Sequence, residues 1–166
     1  GTLLIFDEIP TGLGKTGRLF ACEHEAVVPD ILVLGKALGG GVLPLAATVC
    51  RPELDVGQDW AFGHYTHEKN PVLARAALTT LDIIEEEHLV ENARRQGEHA
   101  LNRLRDMQTR HPSIGDVRGR GLLLGVELVT DRATKAPAHK AAEAVLYRAL
   151  ARGLSFKLSL GNVLTL

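Results

Sequence analysis

The sequence predicts an α/β chain, in which short strands of the buried type alternate with amphipathic helices. Three observations predict it. Apolar runs at residues 3–6, 31–34 and 45–50 lack polar alternation, so each strand is expected to be covered on both faces, as in a sheet flanked by helices. Apolar residues recur at helical spacing between residues 73 and 107 and again between 142 and 150. Glycine and proline punctuate the intervals between these segments.

The first run, Leu3-Leu4-Ile5-Phe6, ends in Asp7-Glu8. Pro10, Gly12, Gly14 and Gly17 make residues 10–17 a loop. Pro29-Asp30 breaks the chain before Ile31-Leu32-Val33-Leu34, and a glycine-rich stretch leads to the third run. Asn70-Pro71 starts a helix, with an Asn cap and proline in the first turn. Leu73, Ala77, Leu81 and Ile84 share one face of it. Leu89, Ala93, Ala100, Leu104 and Met107 line a second helix, which His111-Pro112 stops. Gly115, Gly119 and Gly121 make residues 115–121 read as a turn-rich connection, and 122–129 reads as a strand. Ala142, Val145, Leu146, Ala149 and Leu150 form the stripe of a third helix, with Gly153 as its C-terminal cap. Short strands flank Leu160-Gly161-Asn162. The domain boundary is placed near residue 88, giving segments 1–87 and 88–166. Both chain ends fall inside strand-like runs, so the chain is expected to be an internal piece of a longer protein.

The 166 residues are 45% hydrophobic and 23% charged, which supports a buried core. Lys and Arg number 19 against 20 Asp and Glu, a net charge of −1. A nucleic-acid binder carries a basic excess or stripe, so no nucleic-acid partner is expected. Cys22 and Cys50 are too few for a disulfide scaffold and suit a reducing, cytoplasmic setting. No signal peptide is expected. Residues 31–50 imitate a membrane span, with Lys36 their single charge. Gly35, Gly39, Gly40, Gly41 and Pro44 interrupt them, and a charge near mid-bilayer costs about 2.5–3.5 kcal/mol. No membrane partner is expected.

Several motifs invite chemistry. Gly12-Leu13-Gly14-Lys15-Thr16-Gly17 fits the G-x-G-x-x-G dinucleotide pattern, but no long amphipathic helix follows to aim its N-terminus at a pyrophosphate. The same residues end like a P-loop, yet Ile9 stands where that loop needs its first glycine. A turn-rich loop is the plain reading. His64, His67 and Glu68 have no companion ligand cluster, so a polar loop is expected and no metal. Ser-His-Asp catalysis lacks its nucleophile elbow. Lys36 follows a buried-type strand directly and precedes three glycines. An amine desolvated there loses its charged form and attacks carbonyls; a lysine whose stem packs while its head reaches water is the competing reading. Asp7 closes an apolar strand, where α/β sheets place functional groups. A carboxylate buried there needs a cationic or hydrogen-bonding partner, such as a protonated pyridine nitrogen; a loop-bracing Asp is the alternative.

At this point the residues match a known family. Asp7-Glu8-Ile9, then Thr11-Gly12-Leu13-Gly14-Lys15-Thr16-Gly17, resembles the D-E-V-Q-T-G-F-G-R-T-G segment of class III aminotransferases, pyridoxal-phosphate enzymes of fold type I. Val28-Pro29-Asp30-Ile31 followed by residues 34–41 is similar to that family's Schiff-base lysine segment. Thr66 with Asn70-Pro71 resembles its T-x-G-G-N-P phosphate loop. Val117-Arg118-Gly119 with Gly121-Leu122, then Gly125 and Glu127-Leu128, is similar to the opening of its small domain, and Gly161-Asn162-Val163-Leu164 to a late small-domain strand. The matches run collinearly along nearly the whole chain.

The resemblance implies a fold and a set of roles. Residues 1–87 would be the C-terminal half of the large cofactor domain, a mostly parallel sheet with helices on both faces. Residues 88–166 would hold a linking helix and most of an α+β small domain. Lys36 would bind pyridoxal 5'-phosphate covalently and then shuttle protons. Asp7 would keep the ring nitrogen protonated. Two unit charges ~4 Å apart attract by roughly 4 kcal/mol at an effective dielectric near 20, enough to move that nitrogen by more than a pKa unit. Ile9 would pack on the ring, and Thr66 would bind cofactor phosphate in the neighbouring subunit of a homodimer with shared sites. The family's phosphate cup and ring-stacking aromatic have no counterpart motif here.

Three departures bear on the substrate. Pro10 replaces a Gln near the ring hydroxyl and donates no hydrogen bond. His67, Glu68 and Lys69 replace small residues after the phosphate Thr. Thr165 stands where many members have an Arg that grips the substrate α-carboxylate, and losing that fork argues against an ordinary α-amino acid. The expected activity is transamination between an amine or amino acid and a keto or aldehyde acceptor. The alternative is a lyase of the same family that eliminates ammonia or phosphate from an amino-phosphonate or phospho-amine.

Overall fold

The structure is a computed structural model and describes residues 1–57 and 66–166. These fall into two compact units, Gly1–Glu91 and Asn92–Leu166. Together they form a mixed α/β fold.

In the first unit, β1 (Ile5–Asp7), β2 (Ile31–Leu34) and β3 (Ala47–Cys50) make a sheet in that order. β1 and β2 run parallel, with Ile5 beside Ile31 and Asp7 beside Val33, while β3 joins antiparallel, with Leu34 beside Ala47. Single 3-10 turns span Ala21–Glu25, Lys36–Gly39 and Pro52–Leu54. α1 (Pro71–Glu86) starts as its sequence predicts: Asn70 Oδ1 accepts from the Val72 amide at 2.9 Å, and Pro71 needs no amide partner at the first position. The two-faced burial expected of the apolar runs is not met at β1 or β3: Ile5 is 57% exposed and Val49 53%, so each strand leaves apolar side chains uncovered.

α2 (Leu89–Arg110) follows and ends one residue before His111-Pro112. In the second unit, β4 (Ile114–Arg120), β5 (Leu123–Asp131), β8 (Val163–Thr165) and β7 (Lys157–Ser159) form an antiparallel sheet in that order, with β6 (Ala136–Pro137) beside β5. α3 (His139–Leu150) lies in the same unit. The core gathers Ile114, Val117, Val126, Leu128, Ala138, Ala142 and Leu164, with Leu101 and Leu104 of α2 packed on it. Asn162 is buried and clasps β5: its side-chain amide donates to the Leu128 carbonyl at 3.0 Å, and its own carbonyl accepts from the Leu128 amide at 2.9 Å.

Residues 115–121 correct the sequence reading: they lie mostly within β4 rather than forming a connection. The glycines mark close approach between strands. A Cβ on Gly115 would meet Val129 Cγ1 at 2.7 Å, and one on Gly119 would meet the Leu123 carbonyl oxygen at 2.4 Å. The turn itself is only Gly121-Leu122, since Arg120 pairs with Leu123. Gly121 takes φ +53, the positive angle that a II′ hairpin asks of its first central residue.

Candidate active site

Asp7 is the last residue of β1, and Lys36 follows the end of β2 by two residues. The two strands are parallel neighbours, so both side chains start from the carboxyl edge of one sheet, where α/β folds open their ligand crevices. The Glu8 amide continues the ladder to the Val33 carbonyl at 2.9 Å. Ile9 lies against the residue before Lys36: a Cβ on Gly35 would meet Ile9 Cγ1 at 3.5 Å and Cγ2 at 3.6 Å, with Ala46 Cβ at 3.8 Å. Asp7 Oδ1 accepts from the Ile9 amide at 3.0 Å, which orients the carboxylate.

Lys36 adopts φ +47, a left-handed conformation that costs a non-glycine residue roughly 1–2 kcal/mol. The 3-10 turn it begins holds this geometry, with the Leu38 amide donating to the Gly35 carbonyl at 3.1 Å. Lys36 borders a hollow of about 530 Å³ with Pro44, Leu45 and Ala46. Those three residues also wall a second hollow, of about 640 Å³, which Thr66, His67, Glu68 and Thr48 line. Asp7, Ile9, Lys36 and Thr66 are thus gathered in the first unit. Asp7, Lys36 and Thr66 are exposed, so the desolvation expected around Lys36 is not supplied by these residues: only a proline, a leucine and an alanine share its hollow.

The loop after β1 is braced by a residue that sequence reasoning passed over. Glu8 is only 4% exposed and accepts from the Cys22 amide at 2.8 Å and from the Thr11 hydroxyl. The signal was available, because adjacent strand residues point to opposite faces and the second acid of Asp7-Glu8 must turn away from the first. Burial pushes the Cys22 thiol up, and the charges of Glu8 and then Glu23 add to it. Thr16 is buried and its hydroxyl lies 3.0 Å from His24 Nε2, so it is not offered to a nucleotide-bound metal as a P-loop requires.

Thr165 belongs to the second unit, in β8, with Oγ1 2.7 Å from Ser159 Oγ. His64 lies outside the described residues. Among the described residues, no group of three or more His, Cys, Asp or Glu is arranged to hold a metal, and no helix is long and apolar enough to cross a membrane.

The family model of class-III aminotransferases matches residues 1–166. The chain belongs to the class-III aminotransferases. Within this family it is 46% identical over 164 residues to (R)-1-hydroxy-2-aminoethylphosphonate ammonia-lyase of Vibrio splendidus, covering 99% of this chain and 34% of that protein. It is also 46% identical over 165 residues to a leucine/methionine racemase of Thermococcus litoralis, covering 99% and 37%. Among solved structures it is similar to a Bacillus anthracis aminotransferase, with a TM-score of 0.89, 35% identity and coverage of 99% and 39%. An (S)-enantioselective omega-transaminase from Thermomicrobium roseum gives a TM-score of 0.90, 34% identity and coverage of 99% and 38%. This class-III chain therefore spans 34–39% of the length of these relatives. Its mixed α/β fold is that of the transaminase structures.

Proposed function

We propose that the enzyme carrying this chain is a pyridoxal-phosphate-dependent aminotransferase, moving an amino group between an amine or amino acid and a keto or aldehyde acceptor. The observation that carries this reading is the placement of Lys36 and Asp7 at the carboxyl ends of neighbouring parallel strands, with Ile9 against Gly35. The donor set fits the cofactor. An aldehyde needs an amine, a ring nitrogen needs a carboxylate, and the ring face needs an apolar side chain; Lys36, Asp7 and Ile9 offer these within one unit.

When bound, pyridoxal phosphate supplies an electron sink for the carbon from which a proton leaves. Lys36 would hold the cofactor through its amine, and the same amine would take and return that proton. Asp7, oriented through the Ile9 amide, holds the proton on the ring nitrogen. Thr66 binds the cofactor phosphate across the interface of a cytoplasmic homodimer with shared sites. Residues 1–87 serve as the C-terminal half of the large domain and 88–166 as most of the small one.

A second reading is favoured by the phosphonate ammonia-lyase relative and by Thr165 in place of an Arg: elimination of ammonia or phosphate by the same residues. Lys36→Ala in the whole enzyme is expected to abolish the visible absorbance of lysine-bound cofactor and all turnover. Retention of both refutes the assignment. Product analysis separates the two readings, since transamination needs an amino acceptor and elimination does not.

A further inference from the structure

The turn that carries Ile9 is held shut by two residues that the chemistry above leaves unused. It runs from Glu8 to Gly12, inside the first unit. Its main chain closes on one carbonyl: that of Glu8 accepts from the Thr11 amide at 3.3 Å and from the Gly12 amide at 2.9 Å. Its side chains close on the same residue. The Glu8 carboxylate accepts from the Thr11 hydroxyl through one oxygen and from the Cys22 amide, at 2.8 Å, through the other. Gly12 allows the closure, since a Cβ there would meet the Glu8 carbonyl oxygen at 3.0 Å and Glu8 Cβ at 3.3 Å. Pro10, in the middle, has no amide to give and fixes its own φ at about −65°.

The brace is a demanding one. Glu8 is buried, and among the described residues no cation pairs with it. A buried carboxylate held by neutral donors is costly to leave with a bond unmade, so the positions of those donors are closely fixed. The effect reaches the site through residue 9. The Ile9 amide donates to Asp7 Oδ1 at 3.0 Å, and the Ile9 side chain lies against Gly35, next to Lys36. On one side of Ile9, Glu8 is tied to the sheet by its amide on the Val33 carbonyl at 2.9 Å. On the other side, Thr11 is tied back to Glu8. Residue 9 is therefore placed by the two anchors that flank it.

We propose that Thr11 is a positioning residue for the cofactor ring: its hydroxyl, held on the Glu8 carboxylate, fixes residue 9, and residue 9 fixes both the apolar surface offered to the ring and the aim of the Asp7 carboxylate. The inference rests on the proposed function, in which Asp7 and Ile9 meet that ring. Glu8 turns to the face opposite Asp7, so the pair of Glu8 and Thr11 acts through residue 9 and not by contact. A hydrogen bond to a charged group is the strong kind, and its loss lets the turn open where Asp7 takes its only neighbour along the chain as a donor. Small misplacements of a supporting residue are felt at the site because the groups it carries must hold one geometry.

The test uses the whole enzyme and compares the parent with Thr11→Val and Thr11→Ser. It measures the dissociation constant of pyridoxal phosphate, the pH midpoint of the visible absorbance of the loaded enzyme, and the thermal unfolding midpoint of the unloaded one. Thr11→Val keeps the shape and removes the hydroxyl. It is expected to weaken cofactor binding about tenfold, the worth of one hydrogen bond to a charged group. It is also expected to move the absorbance midpoint upward, because a ring less firmly protonated repels a proton on the lysine nitrogen less. Thr11→Ser restores the O–H and is expected to return both quantities to the parent's. A Thr11→Val enzyme with either quantity unchanged overturns the proposal, since a purely structural brace lowers the unfolding midpoint alone. A Thr11→Ser enzyme as weak as Thr11→Val overturns it too. Glu8→Gln repeats the comparison, with the same refuting outcome, should Thr11→Val not fold. Failure of the cofactor assignment shows in the parent instead, as visible absorbance indifferent to Lys36→Ala, and the proposal then falls with it.

Discussion

Gly97→Ala is a substitution for which helix propensity and tertiary packing predict opposite signs. Gly97 lies inside α2, where alanine is favoured over glycine by about 0.8–1.0 kcal/mol, so propensity alone predicts stabilisation. A Cβ at this position, however, would stand 2.0 Å from the Gly121 carbonyl oxygen, 2.2 Å from its carbonyl carbon and 2.5 Å from its Cα. Ordinary contact begins at 3.4 Å, so helix and hairpin turn must part by about 1.4 Å. The obstacle is main chain, and no rotamer relieves it. Overpacking costs typically ~1–3 kcal/mol, and a clash with rigid backbone belongs at the upper end. Against the propensity gain, the net loss is about 2 kcal/mol. Urea unfolding of the enzyme carrying this chain reads it directly: at a slope of about 2 kcal/mol per molar, the midpoint falls by ~1 M. Gly125→Ala is the control, because its nearest contact, 3.5 Å, is an ordinary one. A Gly97→Ala midpoint equal to or above the parent's would refute the backbone-clash argument.

Further predictions follow from the titrating groups. Because burial, Glu8 and Glu23 hold the Cys22 thiol above the ordinary 9.0, alkylation of Cys22 at pH 9.0 should be slow, and Glu8→Gln should speed it by removing one negative charge. The sign for stability runs downward with pH: the contribution of the neutral thiol is complete below 9.0 and is lost as pH rises through the higher folded value, so Cys22→Ala should flatten the alkaline fall in the unfolding midpoint. Asp131 is held below the ordinary 3.8 first by the Thr134 amide at 2.7 Å and then by the Thr134 hydroxyl at 2.9 Å. Its contribution is present above 3.8 and disappears as pH falls through the lower folded value. Carboxyl NMR titration should find that midpoint below 3.8 and see it rise in Thr134→Val, and an unmoved midpoint would remove the hydroxyl from the account.

Much of the candidate site was legible because it depends on local signals. A strand ending in Asp7, a second strand ending just before Gly35-Lys36, and an Asn70-Pro71 helix start are short-range patterns, and the register of a parallel pair brings their ends to one edge. The hairpin of β4 and β5 was not legible in the same way. Gly115 and Gly119 carry the composition of a turn, yet they serve the close approach of Val129, Leu123 and Leu124 across the sheet. Glu8 is a mixed case: strand alternation marks it as turned away from Asp7, but its partners, Thr11 and Cys22, become visible only once the loop has folded back on the strand.

From the sequence by itself came the α/β class, the three helices, the placing of Asp7 and Lys36 at strand ends, and the family, because period, caps and motif spacing are written within a few residues of one another. Tertiary structure alone decided which glycines are turns and which are clearances, that Asp116 and Glu127 both hold Arg118 while Lys157 has no carboxylate partner among the described residues, and that Ser159 and Thr165 share a hydrogen bond. Those outcomes depend on which strand lies beside which and in what register, and such pairing brings together residues whose separation along the chain carries no local mark.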